Sequence, residues 1–155
     1  NAATEELSLQ WRSDFKVGPG GAPATLSGSD YQGLGIRFPR SWDRVARHLN
    51  SENAPYPTQG KRDVLEARWS AVANTVDGRE QMLAVFTHPD RRGPSNFFSM
   101  LEPFTYLSAT QGLDKNKLEY PAGGTFRLSY LVTVYPAIKP KEFLATRCQE
   151  WLKGQ

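Results

Sequence analysis

The sequence predicts a mostly β protein, an antiparallel β-sandwich or jelly-roll-like set of layers with one C-terminal helix. Three observations predict it: apolar and polar residues alternate with a period of two, turn sequences separate the alternating segments, and a single segment near the C-terminus has helical periodicity. The length of 155 residues is typical of one domain, so residues 1–155 are treated as a single β domain.

Three segments show the alternation most clearly. Their apolar positions are Leu7, Leu9, Trp11, Phe15 and Val17, then Leu65, Ala67, Trp69, Ala71 and Ala73, then Phe126, Leu128, Tyr130, Val132 and Val134. Because successive side chains on a strand point to opposite faces, each segment is predicted to be a half-buried strand. Residues 30–38 predict another strand, with Leu34, Ile36 and Phe38 on one face and Gly33, Gly35 and Arg37 on the other.

Turn and helix signals complete the predicted element order. Asp77-Gly78 indicates a tight hairpin, since both residues tolerate positive φ. Pro121–Gly124 similarly joins residues 117–120 to residues 125–135. Residues 39–63 hold three prolines and predict a long irregular loop with one short helix near Trp42–His48. A helix is predicted over about 140–153, ended by Gly154.

Composition and charge exclude some classes of function. The formal charge is only +3, and its residues are spread along the chain, whereas nucleic-acid binding requires a dense basic face. No apolar run approaches the ~20 residues that cross a bilayer. The single cysteine, Cys148, cannot form an internal disulfide and is predicted to be a buried small hydrophobe. The compartment stays open between cytoplasmic and exported, and the start at Asn1 suggests a processed form or part of something longer.

Several short strings in one order resemble a known family. They are YQGLGIRFP at 31–39, HLNSE at 48–52, ARW at 67–69, VDG at 76–78, AVFTHPD at 84–90, FF at 97–98, FTYL at 104–107 and YPAG at 120–123. The ordered set resembles the bacterial PmoA-like family of unknown function, often labelled "methane oxygenase", over most of residues 5–135. A methane-oxidising activity is not carried over, because the chain has no membrane-spanning segment and only two histidines and one cysteine.

The resemblance implies that this chain corresponds to the C-terminal half of a larger protein. Family members look roughly twice as long as a domain of this size, and their earlier half carries a histidine-rich motif that is absent here. The resemblance therefore implies a second polypeptide, or a removed N-terminal part, that supplies the missing half. Neighbours in the family look linked to carbohydrate metabolism, and β-sandwiches of this type often bind sugars, which implies a carbohydrate ligand.

His88 and Glu52 are the candidate catalytic residues. His88 follows an apolar strand and precedes Asp90 and Arg91, where a histidine is well placed as a general acid or base. The alternative is a histidine that only caps the strand. Glu52 and Asn50 lie in the proline-rich region, where they could bind sugar hydroxyls or a cation, although a simple turn is favoured there.

Further binding candidates are Arg37, Asp90, Arg91, Phe98 and Tyr106. Arg37 shares a face with two glycines that leave room for a ligand, and its planar fork could clamp a carboxylate or sugar oxygen. The alternative is an ion pair with Asp30 or Asp43. Phe98 and Tyr106, with Phe97, Trp42 and Tyr56, could stack on sugar rings, although aromatic residues are more often core. His48 is predicted to lie on the surface.

The resulting function hypothesis is sugar binding or processing at a loop site around His88, Glu52 and Arg37. The alternative is a non-catalytic interaction subunit that pairs through its sheet edges with another chain. A metal-dependent enzyme using His88, Glu52 and Asp90 is a third option, but no metal site and no cofactor is assigned. None of the common catalytic motifs is present, so catalysis itself stays open.

Overall fold

A computed structural model describes residues 6–29, 31, 33–52, 63–89, 95–113 and 115–154. The described part contains eleven strands, one α-helix and one 3-10 turn, Arg40–Trp42. The strands are β1 Leu7–Lys16, β2 Ala24–Leu26, β3 Gly33–Arg37, β4 Arg47–Asn50, β5 Asp63–Glu66, β6 Trp69–Val76, β7 Arg79–Thr87, β8 Asn96–Met100, β9 Tyr106–Thr110, β10 Leu118–Tyr120 and β11 Thr125–Tyr135. The helix α1 spans Lys141–Lys153.

The strands form three antiparallel sheets. A five-stranded sheet has the order β1-β11-β7-β6-β4, a four-stranded sheet has the order β3-β9-β8-β5, and β10 pairs with β2. All the strand pairs are antiparallel. The predicted mostly β, antiparallel sandwich with a single C-terminal helix is therefore confirmed.

The sandwich core lies between the five-stranded and the four-stranded sheets. Its buried members include Val72, Val85, Phe97, Leu107, Ala109 and Tyr130. Leu34 and Ile36 pack against them from β3, while Gly33, Gly35 and Arg37 face the other way. The two faces predicted for this strand are therefore those observed.

Helix α1 covers the opposite face of the five-stranded sheet and forms a third layer. Leu144, Cys148 and Trp151 are buried there against a second core cluster that includes Met82 and Phe86. The Cys148 thiol is buried, as predicted, and this burial raises its pKa. The helix matches the predicted segment, and no helix in the described part of the chain is long and apolar enough to cross a membrane.

The two predicted turns have different outcomes. Asp77 and Gly78 have φ values of 50° and 73° and connect β6 to β7 in a tight hairpin, as predicted. Pro121–Gly124 does join β10 to β11, but the two strands do not pair as a hairpin, since β10 pairs with β2. The loop instead forms hydrogen bonds with the residue that follows β1: the Val17 N–H donates to the Gly124 carbonyl at 2.9 Å.

The predicted single strand over Leu65–Ala73 is two strands in two different sheets. β5 ends at Glu66 and pairs with β8, whereas β6 begins at Trp69 and pairs with β7. Leu65 faces the sandwich core and Trp69 faces the helix layer. The alternation continues unbroken across the crossing, so periodicity alone does not reveal it.

The prediction of a short helix near Trp42–His48 is wrong. The segment holds only the 3-10 turn followed by strand β4, which pairs with β6. Trp42 is buried and stacks on Phe38 with ring centroids 5.0 Å apart, and its carbonyl accepts a hydrogen bond from the Thr105 hydroxyl at 2.8 Å. Residues 53–62 of the predicted loop, including Tyr56, lie outside the described residues.

Strand β1 differs from prediction in its burial. It was expected to be half-buried, yet Leu7, Leu9, Trp11 and Phe15 are between 43% and 73% exposed. The reason is its position at the end of the five-stranded sheet, where it pairs with β11 on one side. The alternation correctly predicts a strand. It cannot show that the four-stranded sheet does not extend far enough to cover β1.

Candidate functional site

A polar cleft of about 440 Å³ opens between the two large sheets at one end of the sandwich. It lies where β5, β7 and β9 end and where β8 begins, beside the first part of β11. Its polar lining comprises Glu66, Thr87, His88, Ser95, Asn96, Thr110, Gln111, Asn116, Ser129 and Tyr130. Its volume is within the range of small-molecule sites in proteins, roughly 300–1,000 Å³.

His88 is held in this cleft by its backbone. It follows the last residue of β7, and its N–H donates to the Ser129 carbonyl at 3.0 Å. The imidazole ring is exposed and lies edge-on to Trp151, with ring centroids 6.2 Å apart. The main chain is therefore fixed to β11, while the ring contacts Trp151 of the helix layer.

The remaining polar groups of the cleft are mostly neutral. Asn96, Gln111 and Asn116 supply amides, and the Gln111 amide donates to the Tyr130 hydroxyl at 3.2 Å. Glu66 supplies a carboxylate. None of the described residues that line the cleft is a lysine or an arginine. The cleft thus offers many hydrogen-bond donors and acceptors and little positive charge.

A second, aromatic cleft of about 680 Å³ adjoins the polar cleft and shares His88 and Ser129 with it. Phe126 lies there between Phe15 and Tyr120, stacked at centroid distances of 4.5 Å and 4.2 Å. The outer rim carries the Asp14–Arg127 ion pair. The hydrogen bond from Arg127 lowers the pKa of the Asp14 carboxyl.

Glu52 and Asn50 lie elsewhere, beside the helix layer. Glu52 lines a helix pocket of about 420 Å³ with Lys141 and Cys148, and its carboxylate accepts a hydrogen bond from the Ser51 hydroxyl at 2.7 Å. The buried Asn50 accepts the Glu52 N–H through its side-chain oxygen at 2.9 Å. This is the Asx turn that the sequence favoured for the segment.

Arg37 lies on the outer face of the four-stranded sheet. Its guanidinium carbon sits 4.1 Å from the centroid of the Phe104 ring. The space expected beside Gly35 is taken by Tyr106, since a Cβ at Gly35 would lie 2.1 Å from the Tyr106 hydroxyl oxygen. Asp43, one alternative partner for Arg37, instead accepts the Thr105 N–H at 2.7 Å.

Phe98 and Tyr106 belong to an aromatic cluster with Tyr31 on the same outer face. The Tyr31 ring lies 5.0 Å from Phe98 and 5.5 Å from Tyr106, centroid to centroid. Phe98 is fully buried, and burial raises the pKa of Tyr106. A sugar could stack on Phe98 only if the ring were uncovered. Of the other aromatic candidates, Phe97 and Trp42 lie in the sandwich core.

The structure therefore places the predicted site residues in three separate regions. His88 lines the polar cleft, Glu52 the helix pocket, and Arg37 the outer aromatic cluster. Asp90 and Arg91 lie outside the described residues. The ligand-binding roles of all these residues stay predictions. Among the described residues, no group of three or more His, Cys, Asp or Glu side chains is arranged to hold a metal ion.

The sequence interpretation missed the residues that accompany His88. Glu66 alternates with the apolar residues of the strand predicted over Leu65–Ala73, and the sequence patterns single out none of Asn96, Gln111 and Asn116. Each lies at or just beyond a strand end, which is the one signal that could have found them. That signal becomes usable only when the strand order is known, because it shows which ends meet.

His48 corrects another expectation. It was predicted to be a surface residue, but its two ring nitrogens are buried in the interior where β4 faces the other sheet. Desolvation of the imidazolium lowers the pKa of His48 to about 4, although a hydrogen bond with the Met100 backbone acts in the opposite direction. His48 is therefore neutral near pH 7 and contributes to the interior.

Residues 2–146 match a family of unknown function, DUF6807. The chain belongs to this family. The match covers the eleven described strands, the first part of α1 and every described residue that lines the polar cleft. No curated protein and no solved structure matches the chain.

Proposed function

We propose that this DUF6807 chain is a carbohydrate-binding domain whose ligand occupies the polar cleft. The observation that carries the proposal is the lining of amides, hydroxyls, one carboxylate and one imidazole around a space of about 440 Å³. A sugar presents many hydroxyls that each donate and accept a hydrogen bond. A site with both kinds of partner, placed at fixed strand ends, suits such a ligand.

The described lining of the cleft favours neutral sugars or polyols as the ligand class. Phosphate and nucleotide ligands require arginine, lysine or a ring of backbone N–H groups, and the described lining has no arginine or lysine. Glu66 would repel an anion and accept hydrogen bonds from ligand hydroxyls. The proposed site retains His88 from the sequence prediction. Its carboxylate is Glu66, which lines the same cleft as His88, and not Glu52.

The proposal is in keeping with the resemblance to PmoA-like proteins, whose neighbours look linked to carbohydrate metabolism. Processing of the bound sugar is a further step of the same proposal, since the described lining holds an imidazole, His88, and a carboxylate, Glu66, the side-chain types that act as general acids and bases. Binding requires no such step. The binding experiment therefore comes first.

Isothermal titration of the chain with a panel of neutral mono- and disaccharides tests the proposal. We expect at least one sugar to bind, and we expect His88→Ala and Gln111→Ala to weaken its binding about fivefold each, since one lost hydrogen bond is worth about 1 kcal/mol. Glu52→Gln is the matched control in the helix pocket and should bind like the unaltered chain. Absence of binding across the panel, or equal effects of all three variants, contradicts the proposal.

A further inference from the structure

Strand β1 presents an apolar surface to solvent. Its members, here called the apolar edge face, are Leu7, Leu9, Trp11 and Phe15 of β1 with Val134 of β11, all between 41% and 73% exposed. They share one face of the sheet, since Leu7 pairs with Val134 and the β1 members occupy alternate positions. Monomeric proteins rarely expose a contiguous patch of this kind without a binding purpose.

The backbone of β1 is also open to a partner. β1 pairs with β11 over its full length, from Leu7 opposite Val134 to Lys16 opposite Thr125, and it is the end strand of its sheet in the described part of the chain. Its ten residues contain no proline. A long, regular edge strand of this composition is a template for pairing with another strand.

We propose that the occupant of this edge is a second copy of the chain. The two β1 strands pair antiparallel about a twofold axis at Trp11, which joins the two five-stranded sheets into one sheet of ten strands. Such a contact uses the same patch on both copies and is the closed geometry of most homodimers. The proposal goes beyond sugar binding and does not depend on it.

The side chains select this register. Centring on Trp11 places Leu7 opposite Phe15 of the second copy and Trp11 opposite its own counterpart on one face, where Leu9 lies opposite Ser13 and diagonal to Trp11. On the other face, Glu6 lies opposite Lys16, Ser8 opposite Asp14, and Gln10 opposite Arg12. Glu6 already accepts a hydrogen bond from Arg147 at 2.9 Å, and the lysine adds a second cation beside it.

Neighbouring registers bring like charges together. A shift that keeps the apolar faces aligned must move the centre by one residue, to Gln10 or to Arg12. Centring on Gln10 sets Glu6 opposite Asp14, and centring on Arg12 sets Arg12 opposite itself. Like charges directly opposite each other destabilise a strand pair. Of these three registers, only the one centred on Trp11 has no such pair.

The new contact is made by the edges of the two strands. The β1 side chains stand on the face of the sheet, so pairing covers them only where they touch their cross-strand neighbours, as Leu7 would touch Phe15 of the second copy. Val134 lies one strand further from the new contact and stays exposed. The backbone hydrogen bonds of the new strand pair therefore provide the main part of the contact.

Light scattering after size-exclusion chromatography is the first test. We expect the unaltered chain to elute as a dimer in the micromolar range and Leu9→Lys to elute as a monomer, because the lysine places a charge in the apolar contact. Thr75→Lys, an exposed change on β6, which β11 and β7 separate from β1, controls for added charge and should stay dimeric. Circular dichroism verifies that both variants are folded.

Cysteine cross-linking tests the register. Opposed residues of an antiparallel pair have Cα atoms about 4.5–5.5 Å apart, a separation that a disulfide can bridge. Trp11→Cys should therefore cross-link to itself under mild oxidation, whereas Leu7→Cys should cross-link only when mixed with Phe15→Cys. The buried Cys148 provides no background. A monomeric unaltered chain, a larger aggregate, or a dimer that survives Leu9→Lys and forms no Trp11→Cys disulfide overturns the proposal.

Discussion

At the scale of single residues, the sequence identified the chemistry of a side chain but not its surroundings. His48 follows Arg47 in a polar context that suggested the surface, yet its ring nitrogens are buried between the sheets. His88 ends an apolar strand, and its ring is exposed at the polar cleft. Both positions follow from which strand each histidine belongs to and which face it occupies.

The buried His48 predicts a pH-dependent stability. Its folded-state pKa is about 4, below the usual value of 6.5, so the unfolded chain binds more protons than the folded chain between these values. The free energy of unfolding should therefore reach its full value above pH 6.5 and fall by about 3 kcal/mol as the pH drops toward 4. Urea unfolding at a series of pH values measures it.

The matched variant for that measurement is His48→Gln, which keeps a polar side chain but cannot titrate. We expect this variant to be less stable than the unaltered chain at pH 7. Its free energy of unfolding should lack the decrease that His48 causes between pH 6.5 and pH 4. An unchanged slope in His48→Gln would assign the pH dependence to other groups.

At the scale of elements, the residue types of a turn predict a hairpin correctly where the two flanking strands pair with each other. Asp77 and Gly78 both adopt positive φ, which gives the twist that a two-residue hairpin requires. Pro121–Gly124 has similar composition but connects strands of different sheets. A turn sequence therefore predicts that the chain reverses, and the tertiary structure decides whether the flanking strands pair.

Gly78→Ala tests the backbone requirement of the hairpin. A Cβ at Gly78 would contact nothing within 4 Å, so any cost comes from its φ of 73°. We expect a loss of about 1 kcal/mol in thermal or urea unfolding. Gly20→Ala is the control, because a Cβ there also contacts nothing and no left-handed φ is required. Equal effects of the two variants would refute the role of the turn.

At the scale of the whole molecule, the fold has three layers, and strands β6 and β7 of the five-stranded sheet are buried on both faces over most of their length. The helix closes the outer face through Leu144, Cys148 and Trp151. This explains the nearly continuous burial of β6 from Trp69 to Asn74, where simple alternation would expect every second residue to be exposed. The helix is thus part of the core and not an appendage.

Leu144→Ala tests the contribution of the helix layer. Leu144 is fully buried, so its truncation should cost about 2–5 kcal/mol through lost burial and a cavity. Gln149→Ala, an exposed position on the same helix, should change stability by less than about 0.5 kcal/mol. Denaturant midpoints of the two variants provide the comparison. A small effect at Leu144 would mean that the helix is not part of the cooperative core.

The sequence by itself determined the β class, the hairpin at Asp77-Gly78, the faces of Leu34–Arg37 and the C-terminal helix, because each depends on contacts or dihedral angles local to the segment. Only the tertiary structure decided that residues 65–73 cross between sheets, that β1 lies at an exposed edge, and that His88 and Glu66 line one cleft. These features depend on strand order, and a period of two is the same for every strand wherever it lies in a sheet.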